Sequence, residues 1–130
     1  MAEALDTAKS FVDKINAHDE LGIDLAMSFD HVFIDAAGKR NEGREKADWP
    51  GYFKWVPDYR IDVDQWLEDG ETVAAFGKAS GTFVRDGRLD PENRWETQAA
   101  WRGLVRFGKV KEWQVYCDTH GMQEILARLR

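Results

Sequence analysis

An α+β fold, with helices packed on one face of a sheet, is the class that this sequence predicts. Apolar residues recur at helical spacing over residues 3–17. From Asp58 onward, apolar and polar residues alternate with period two, which is typical of strands that have one buried face. A chain with its helices first and hairpin-linked strands after them is typical of a fold in which the helices form one layer and the sheet forms another. We expect one domain over residues 1–130, a length sufficient for a single core.

Two helices and a short strand are predicted in the N-terminal part. After the helix over residues 3–17, Asp19 is placed to cap a second helix that runs to about Phe29. A strand from Val32 to Asp35 follows, and Ala36-Ala37-Gly38-Lys39 forms a turn. Two interpretations of Asp35 stay open. Its carboxylate caps this turn in water, or it faces a pocket where a desolvated carboxylate becomes a useful base.

A third helical segment is predicted from Arg44 to Trp55, with a kink or break at Pro50-Gly51. Asp48 is placed to cap its second half. The segment carries an aromatic cluster that consists of Trp49, Tyr52, Phe53 and Trp55. Such a helix would either wall a pocket or fill the core.

The rest of the chain is predicted to form antiparallel strands. They begin at Asp58 and cover residues 72–84, 95–107 and 110–118, and a final helix covers about 122–129. Asp69-Gly70 is a strong hairpin signal between the first two. In the 95–107 strand, Trp101 shares the apolar face with Phe107. Trp113 and Cys117 mark the apolar face of the last strand.

Composition excludes several classes of function. The net charge of −6, with no run of basic residues, argues against nucleic-acid binding. The N-terminus lacks the order of a signal peptide, and no apolar run approaches a membrane span. A single cysteine fits a reducing compartment, so we expect a cytoplasmic protein. No His, Cys or carboxylate spacing indicates a metal site, and no nucleotide-binding motif is present.

Aromatic residues are unusually abundant. The chain has six tryptophans, three tyrosines and seven phenylalanines. Each buried indole N–H needs a hydrogen-bond partner, so tryptophan is a demanding core filler. Three explanations stay open: an aromatic-lined cavity, a broad subunit interface, or core packing alone.

The order of these segments resembles the nuclear-transport-factor-2-like superfamily, especially its SnoaL-like (polyketide cyclase) and ketosteroid-isomerase-like members. The resemblance is carried, in order, by residues 11–19, Val32-Phe-Ile-Asp35, Gly43-Arg44, Ser80-Gly81-Thr82, Trp95 to Trp101 and residues 108–118. It implies a cystatin-like cone, in which a curved antiparallel sheet wraps around the N-terminal helices. It also implies an apolar pocket at the open end and a homodimer.

Transfer of the family's active-site positions favours Asp35. In ketosteroid isomerases the general base stands at the end of the first strand, which matches Asp35. Their oxyanion-hole tyrosine matches Phe11, and their protonated aspartate falls near Gly103. With both donors missing, nothing at those positions would stabilise a dienolate, so steroid isomerisation is not expected.

Asp118 and His31 complete the candidate catalytic residues. Asp118 resembles an acid/base aspartate of SnoaL-like cyclases, although a regular last strand would turn it away from Trp113. It could also cap the final helix. His31 has the same parity as Asp35 and could reach the pocket mouth. Limonene epoxide hydrolases of the superfamily use an Asp-Arg-Asp set, of which Arg102 and Asp118 would supply two members.

The expected function is that of a small-molecule pocket protein. We expect the pocket to be lined by Phe11, Phe33, Trp49, Tyr52, Phe53, Trp101 and Trp113. The first hypothesis is an acid/base enzyme (isomerase, cyclase or dehydratase) that needs no cofactor and acts on an apolar carbonyl compound, with Asp35 as base. The alternatives are a non-catalytic hydrophobic-ligand-binding protein and a domain that serves dimerisation alone.

Overall fold

Six strands form one curved mixed sheet, and the helices pack on its inner face. The computed structural model of the protein describes residues 3–129. The helices are α1 (Glu3–Asn16), α2 (Glu20–Ala26), α3 (Trp49–Trp55) and α4 (His120–Leu129), and the short 3-10 helices are Arg44–Ala47 and Pro91–Asn93. The strands are β1 (Met27–Ile34), β2 (Arg40–Glu42), β3 (Arg60–Asp69), β4 (Thr72–Thr82), β5 (Arg94–Arg106) and β6 (Lys109–Cys117). Within residues 3–129, no helix has the length and apolar composition that a membrane span requires.

The strand order is β2-β1-β6-β5-β4-β3, and it confirms the predicted α+β cone. Four neighbouring pairs are antiparallel. Three of them join the strands predicted from Asp58 onward, and the fourth joins β1 to β2, a strand that the sequence did not predict. β1 and β6 run parallel, with Phe33 beside Trp113. The sequence carries no signal for this pairing, because it joins two strands from opposite ends of the chain. This pairing places the C-terminal end of β1 beside β6.

Helix α1 covers the inner face of the sheet with the apolar stripe that its spacing predicts. Phe11 and Ile15 are fully buried. The side chain of Asn16 then links the helix to β3: its Nδ2 donates to the Ile61 carbonyl (2.9 Å) and its Oδ1 accepts from the Ile61 N–H (2.8 Å). Because both backbone groups of a buried residue are satisfied by one amide, the end of α1 is held in register with the sheet.

The second helix is shorter than predicted. It begins after the predicted cap, where Asp19 Oδ1 accepts from the Gly22 N–H (3.0 Å), but it ends at Ala26. Met27 is already extended, and Phe29 stands on β1 with 86% of its surface exposed. Leu21, Leu25 and Phe29 recur every four residues, but all three side chains are exposed, so they do not form the buried stripe of a helix. The prediction of a helix to Phe29 is wrong.

The break in the third helical segment lies at Asp48 instead of Pro50. Asp48 adopts a left-handed conformation (φ 44°) that ends the 3-10 turn, and its Oδ1 accepts from the Gly51 N–H (3.2 Å), as the predicted cap. Pro50 lies in the first turn of α3, where a backbone N–H would have no intrahelical acceptor, so proline does not break the helix.

The hairpins explain one further error. Phe107 and Gly108 both have positive φ (52° and 72°), as a two-residue turn of the primed type requires. Strand β5 therefore ends at Arg106, and Phe107 is fully exposed at the hairpin tip. The prediction that Phe107 shares the buried face of Trp101 is wrong, because the turn interrupts the alternation.

Candidate functional site

A cavity of about 230 Å³ lies between α3, the start of α4 and the inner face of the sheet. Most of its lining is aromatic or aliphatic, and consists of Phe33, Ala36, Ala47, Trp49, Tyr52, Tyr59, Ala79, Trp95, Trp101, Trp113, Val115 and Met122. Asp35, Cys117 and Thr119 also line it. The aromatic residues therefore build a cavity, which is the first of the three explanations that the composition left open.

Two glycines make room for the tryptophans of the floor. Gly81 is the cross-strand neighbour of Trp95, and Gly103 is the neighbour of Trp113. A Cβ on Gly103 would lie 3.1 Å from Trp113 Cζ3, and a Cβ on Gly81 would overlap the Val56 side chain and lie 3.1 Å from Trp95 Cζ2. Each indole ring thus packs over a glycine of the neighbouring strand, where no side chain blocks it.

Helix α3 and the loop that follows it form the wall. The rings of Trp49 and Tyr52 meet edge to face at 6.2 Å, and Tyr52 meets Tyr59 edge to face at 5.0 Å. Such perpendicular contacts are the favoured geometry for aromatic pairs, because the positive ring edge meets the negative face. The wall is therefore a set of mutually supporting rings that present two phenol groups.

Asp35 caps the turn after β1 and also lines the cavity. Its Oδ1 accepts from the backbone N–H groups of Ala37 (3.0 Å) and Lys39 (2.9 Å), which caps the turn after β1. The same half-buried side chain lines the cavity. Within residues 3–129, no hydrogen bond engages Oδ2. The turn therefore orients the carboxylate through one oxygen and leaves the other available.

His31 lies in the core and is not part of the cavity lining. Its Nδ1 is 2.7 Å from the Val110 carbonyl, so this nitrogen carries the proton, and its buried Nε2 has no partner within the described chain. Burial lowers the pKa of His31, and the hydrogen bond to Val110 opposes this shift. The structure therefore places this imidazole as a neutral core group, apart from Asp35.

Asp118 lies just outside the cavity. Its side chain is exposed, and Oδ1 accepts from the His120 N–H (2.9 Å) at the start of α4. This is the face that a regular last strand predicts. Arg102 lies on the outer face of the sheet and pairs with Glu112 at 3.5 Å. The structure does not bring Asp35, Arg102 and Asp118 together.

Two residues expected to bind substrate support the cavity from behind. Phe11 packs edge to face on Trp113 with ring centroids 5.2 Å apart. Phe53 stacks on His18 with centroids 4.0 Å apart. Both are buried, and neither lines the cavity. The other five expected residues, which are Phe33, Trp49, Tyr52, Trp101 and Trp113, do line it.

Sequence reasoning missed Tyr59 and Trp95 as lining residues. Trp95 has the same strand parity as Trp101, so the alternation of β5 was a sufficient signal. Tyr59 stands on the loop before β3, where no periodicity applies. Only the packing of α3 against the sheet brings it to the cavity.

The two phenols and the thiol of the cavity are held in their neutral forms. Burial raises the pKa of the Tyr52 and Tyr59 hydroxyls, and that of Tyr59 lies well above its ordinary value. Burial also raises the pKa of the Cys117 thiol, with a smaller effect from the charge of Asp118. Both phenols and the thiol therefore keep their protons at neutral pH and can act as donors.

Solved structures of several other proteins share this architecture. A protein from Shewanella putrefaciens, provisionally named a SnoaL-like polyketide cyclase, has a TM-score of 0.80 and 17% identity over 98% of each chain. AclR from Streptomyces galilaeus, provisionally named a hydroxylase, has a TM-score of 0.78 and 20% identity over 98% of this chain and 83% of its own. An LEH-like epoxide hydrolase from M. tuberculosis has a TM-score of 0.77 and 19% identity over 98% and 91%.

No protein-family model matches the chain, and no curated protein matches it. The structural likeness extends over nearly the whole chain, and several further solved structures that match are NTF2-like or SnoaL-like by name. At these identities the likeness shows the fold. The chain has the fold of a nuclear-transport-factor-2-like cone.

Proposed function

We propose that the cavity binds a small, largely apolar carbonyl compound and that Asp35 acts on it as a general base, without a cofactor. One observation carries this proposal: among the described residues, Asp35 is the one carboxylate that lines an otherwise aromatic and aliphatic cavity. A carboxylate held by a turn through Oδ1 offers Oδ2 at a defined position. Positioned carboxylates of this kind serve as bases in proton-transfer enzymes.

The cavity volume limits the size of the substrate. At about 230 Å³ it lies below the roughly 300–1,000 Å³ that is usual for drug-sized ligands. We therefore infer a substrate with one or two rings. A steroid or a four-ring polyketide would exceed this space.

The proposed chemistry is proton transfer next to a carbonyl group. Asp35 Oδ2 takes a proton from the carbon beside the carbonyl, the electron pair of that C–H bond forms an enolate, and Asp35 becomes neutral. Where the enolate is conjugated with a C=C bond, return of the proton from Asp35 to the far carbon completes an isomerisation. Attack of the enolate carbon on a second carbonyl carbon, with transfer of the Asp35 proton to the alkoxide that forms, would give cyclisation. Departure of a β-hydroxyl group, which takes the Asp35 proton and leaves as water, would give dehydration. The names of the solved structures above agree with small-molecule chemistry in this fold and select none of these three.

A second candidate is ligand binding without turnover. It is favoured by the two hydrogen bonds that Asp35 Oδ1 accepts in the turn, because they give this residue a sufficient structural role. In that case the carboxylate at the cavity is a consequence of the turn.

We also propose a homodimer, formed through the outer face of the sheet. Phe76, Ala100 and Tyr116 are direct neighbours across β4, β5 and β6 on that face. Phe76 and Tyr116 are 42% and 49% exposed. A row of apolar and aromatic groups on a sheet face is typical of an interaction surface.

The test of the base uses proton exchange, since this needs no knowledge of the final product. Binding of 2-tetralone is first measured by tryptophan fluorescence. Exchange of its α-hydrogens in heavy water is then followed by NMR with wild type, Asp35→Asn and the control Asp118→Asn. Asn at position 35 keeps an oxygen for the turn and removes the base. We expect a loss of at least about 100-fold in exchange rate for Asp35→Asn, as removal of a general base typically gives.

The outcomes separate the two candidates. Accelerated exchange that is lost in Asp35→Asn and kept in Asp118→Asn supports the enzyme. Saturable binding with no protein-dependent exchange supports the non-catalytic protein. Exchange that survives in Asp35→Asn contradicts the assignment of the base.

A further inference from the structure

A second hollow lies behind the wall of the aromatic cavity. It is a surface depression of about 370 Å³ between α2, the 3-10 turn Arg44–Ala47 and the start of α3, and Ile23 and Met27 form part of its apolar lining. Among residues 3–129, Trp49 alone belongs to the linings of both the depression and the cavity. One side chain therefore borders both spaces.

Trp49 is held between the two spaces by the backbone and by its ring contacts. It follows Asp48, whose left-handed conformation begins α3. On the cavity side, its ring meets those of Phe33 and Tyr52 edge to face, with centroids 6.2 Å away in both cases. The indole N–H is buried and has no acceptor within residues 3–129. An apolar residue at position 49 would therefore break no hydrogen bond, because packing alone holds this side chain.

The depression differs from the cavity in its charge. The cavity lining is mostly aromatic and aliphatic. The depression is lined by one cation, Arg44, and by four carboxylates, which are Glu20, Asp24, Glu45 and Asp48. Arg44 Nε lies 3.3 Å from Asp24 Oδ1, so its charge is already shared with one of them. A ligand group that reaches the depression is therefore favoured when it is cationic and disfavoured when it is anionic.

We infer that Trp49 is the partition that limits the ligand to one or two rings, and that a longer ligand would extend past this position into the depression. This inference rests on the proposed function, because it requires that the cavity holds a ligand. It adds what sets the size of that ligand, which is one indole ring. With the indole removed, the joined space would fall within the roughly 300–1,000 Å³ that is usual for drug-sized ligands. Trp49 is then a specificity-determining residue.

The test compares a two-ring ketone with longer ketones. Dissociation constants of 2-tetralone, 6-phenyl-2-tetralone and 7-phenyl-2-tetralone are measured by tryptophan fluorescence with wild type, Trp49→Ala and the control Trp95→Ala. Trp95 lines the cavity but not the depression, so the control removes the same side chain at another place. We expect a phenyl ligand to bind Trp49→Ala at least about ten-fold more tightly than wild type, as burial of one ring gives, and Trp95→Ala to show no such gain.

The charge of the depression adds a readout that looser packing alone would not move. Two derivatives of the phenyl ligand carry an aminomethyl or a carboxyl group at the end of the added ring. In Trp49→Ala, we expect the amine to bind at least about five-fold more tightly than the carboxylate at low salt. This preference should shrink as salt is added, because the charges of the depression are screened.

The outcomes distinguish this inference from the function on which it rests. No gain in Trp49→Ala, or an equal gain in Trp95→Ala, overturns the role of Trp49 and leaves the cavity as a ligand site. Equal binding of the amine and the carboxylate to Trp49→Ala overturns the extension into the depression. Failure of every ligand to bind wild type and both variants overturns the proposed function as well. If Trp49→Ala does not fold, Trp49→Val, which keeps more of the apolar contact, takes its place in the same comparison.

Discussion

Asp35 illustrates how one side chain can be held by local structure and still be offered to a ligand. Oδ1 is used by the turn, and the position of that turn beside β6 follows from the parallel pairing of β1. His31 lies four residues earlier, on β1, and its side chain has a different environment. Its ring points into the core and bonds to the Val110 carbonyl. His31 and Asp35 are an even number of positions apart, as residues on one face of a strand are, but one lies in the core and the other at the cavity.

His31 should make stability depend on pH. Its folded-state pKa is lowered by burial, while the unfolded value is about 6.5. The unfolded chain therefore takes up the proton first as the pH falls. The contribution of the neutral imidazole is fully present above about pH 6.5 and is lost below it, at a slope of at most about 1.4 kcal/mol per pH unit.

Urea unfolding between pH 5 and 8 measures this slope. His31→Gln, which keeps a donor for the Val110 carbonyl, should flatten the part of the slope below about pH 6.5. The control His120→Gln removes an exposed imidazole that lies 2.9 Å from Glu124 Oε1, and it should leave the contribution of His31 to the slope in place. An unaltered slope in His31→Gln would mean that other groups cause the acid sensitivity.

At the scale of elements, the sheet depends on close backbone approach at a few glycines. Strand β4 passes β3 at Gly77, where β3 has an irregularity between Val63 and Gln65. A Cβ on Gly77 would overlap the Asp62 carbonyl, which is backbone and cannot turn away. Gly121, on α4, has open space around it.

Alanine substitution at these two glycines should therefore have opposite effects. Gly77→Ala forces β3 and β4 apart, and we expect a loss of about 2–3 kcal/mol in the free energy of unfolding. Gly121→Ala should gain up to about 1 kcal/mol, because alanine favours a helix. Chemical denaturation measures both values. A Gly77→Ala protein as stable as wild type would show that the strands separate at little cost.

At the scale of the whole molecule, two exposed apolar surfaces among residues 3–129 are candidates for a contact between subunits. The first is the outer-face row with Phe76 and Tyr116, and the second lies near the β5–β6 hairpin, where Phe29 and Phe107 are 86% and 100% exposed. Phe29 and Phe107 border a shallow depression together with Arg106 and Lys109. The outer face of the sheet is the better candidate for an extended, self-complementary contact.

Sedimentation velocity should find a dimer of the 15.0 kDa chain at micromolar concentration. Phe76→Glu places like charges opposite each other at a symmetric interface, so it should give a monomer. Phe29→Glu introduces the same charge on the other surface and should stay dimeric. A monomer for Phe29→Glu with a dimer for Phe76→Glu would move the interface to the hairpin end.

Much of the architecture follows from local chemistry. The caps at Asp19 and Asp48, the hairpin at Gly70 and the buried faces of β5 and β6 all stand where the sequence predicts them. Two of the failed predictions, at Phe29 and Phe107, share one cause. Phe29 and Phe107 continue an apolar pattern that a strand start and a tight turn interrupt. The spacing of apolar residues does not reveal such an interruption, because it carries no information on the backbone conformation.

By itself, the sequence determined the α+β class, the helix-first order and the parity of the strands, because these depend on neighbours a few residues apart. It also indicated an aromatic pocket with Asp35 at its edge. Only the tertiary structure decided the parallel pairing of β1 with β6, the buried position of His31 and the placement of Tyr59 and Trp95 beside Trp101. These depend on contacts between distant segments, in which burial and packing outweigh local preference.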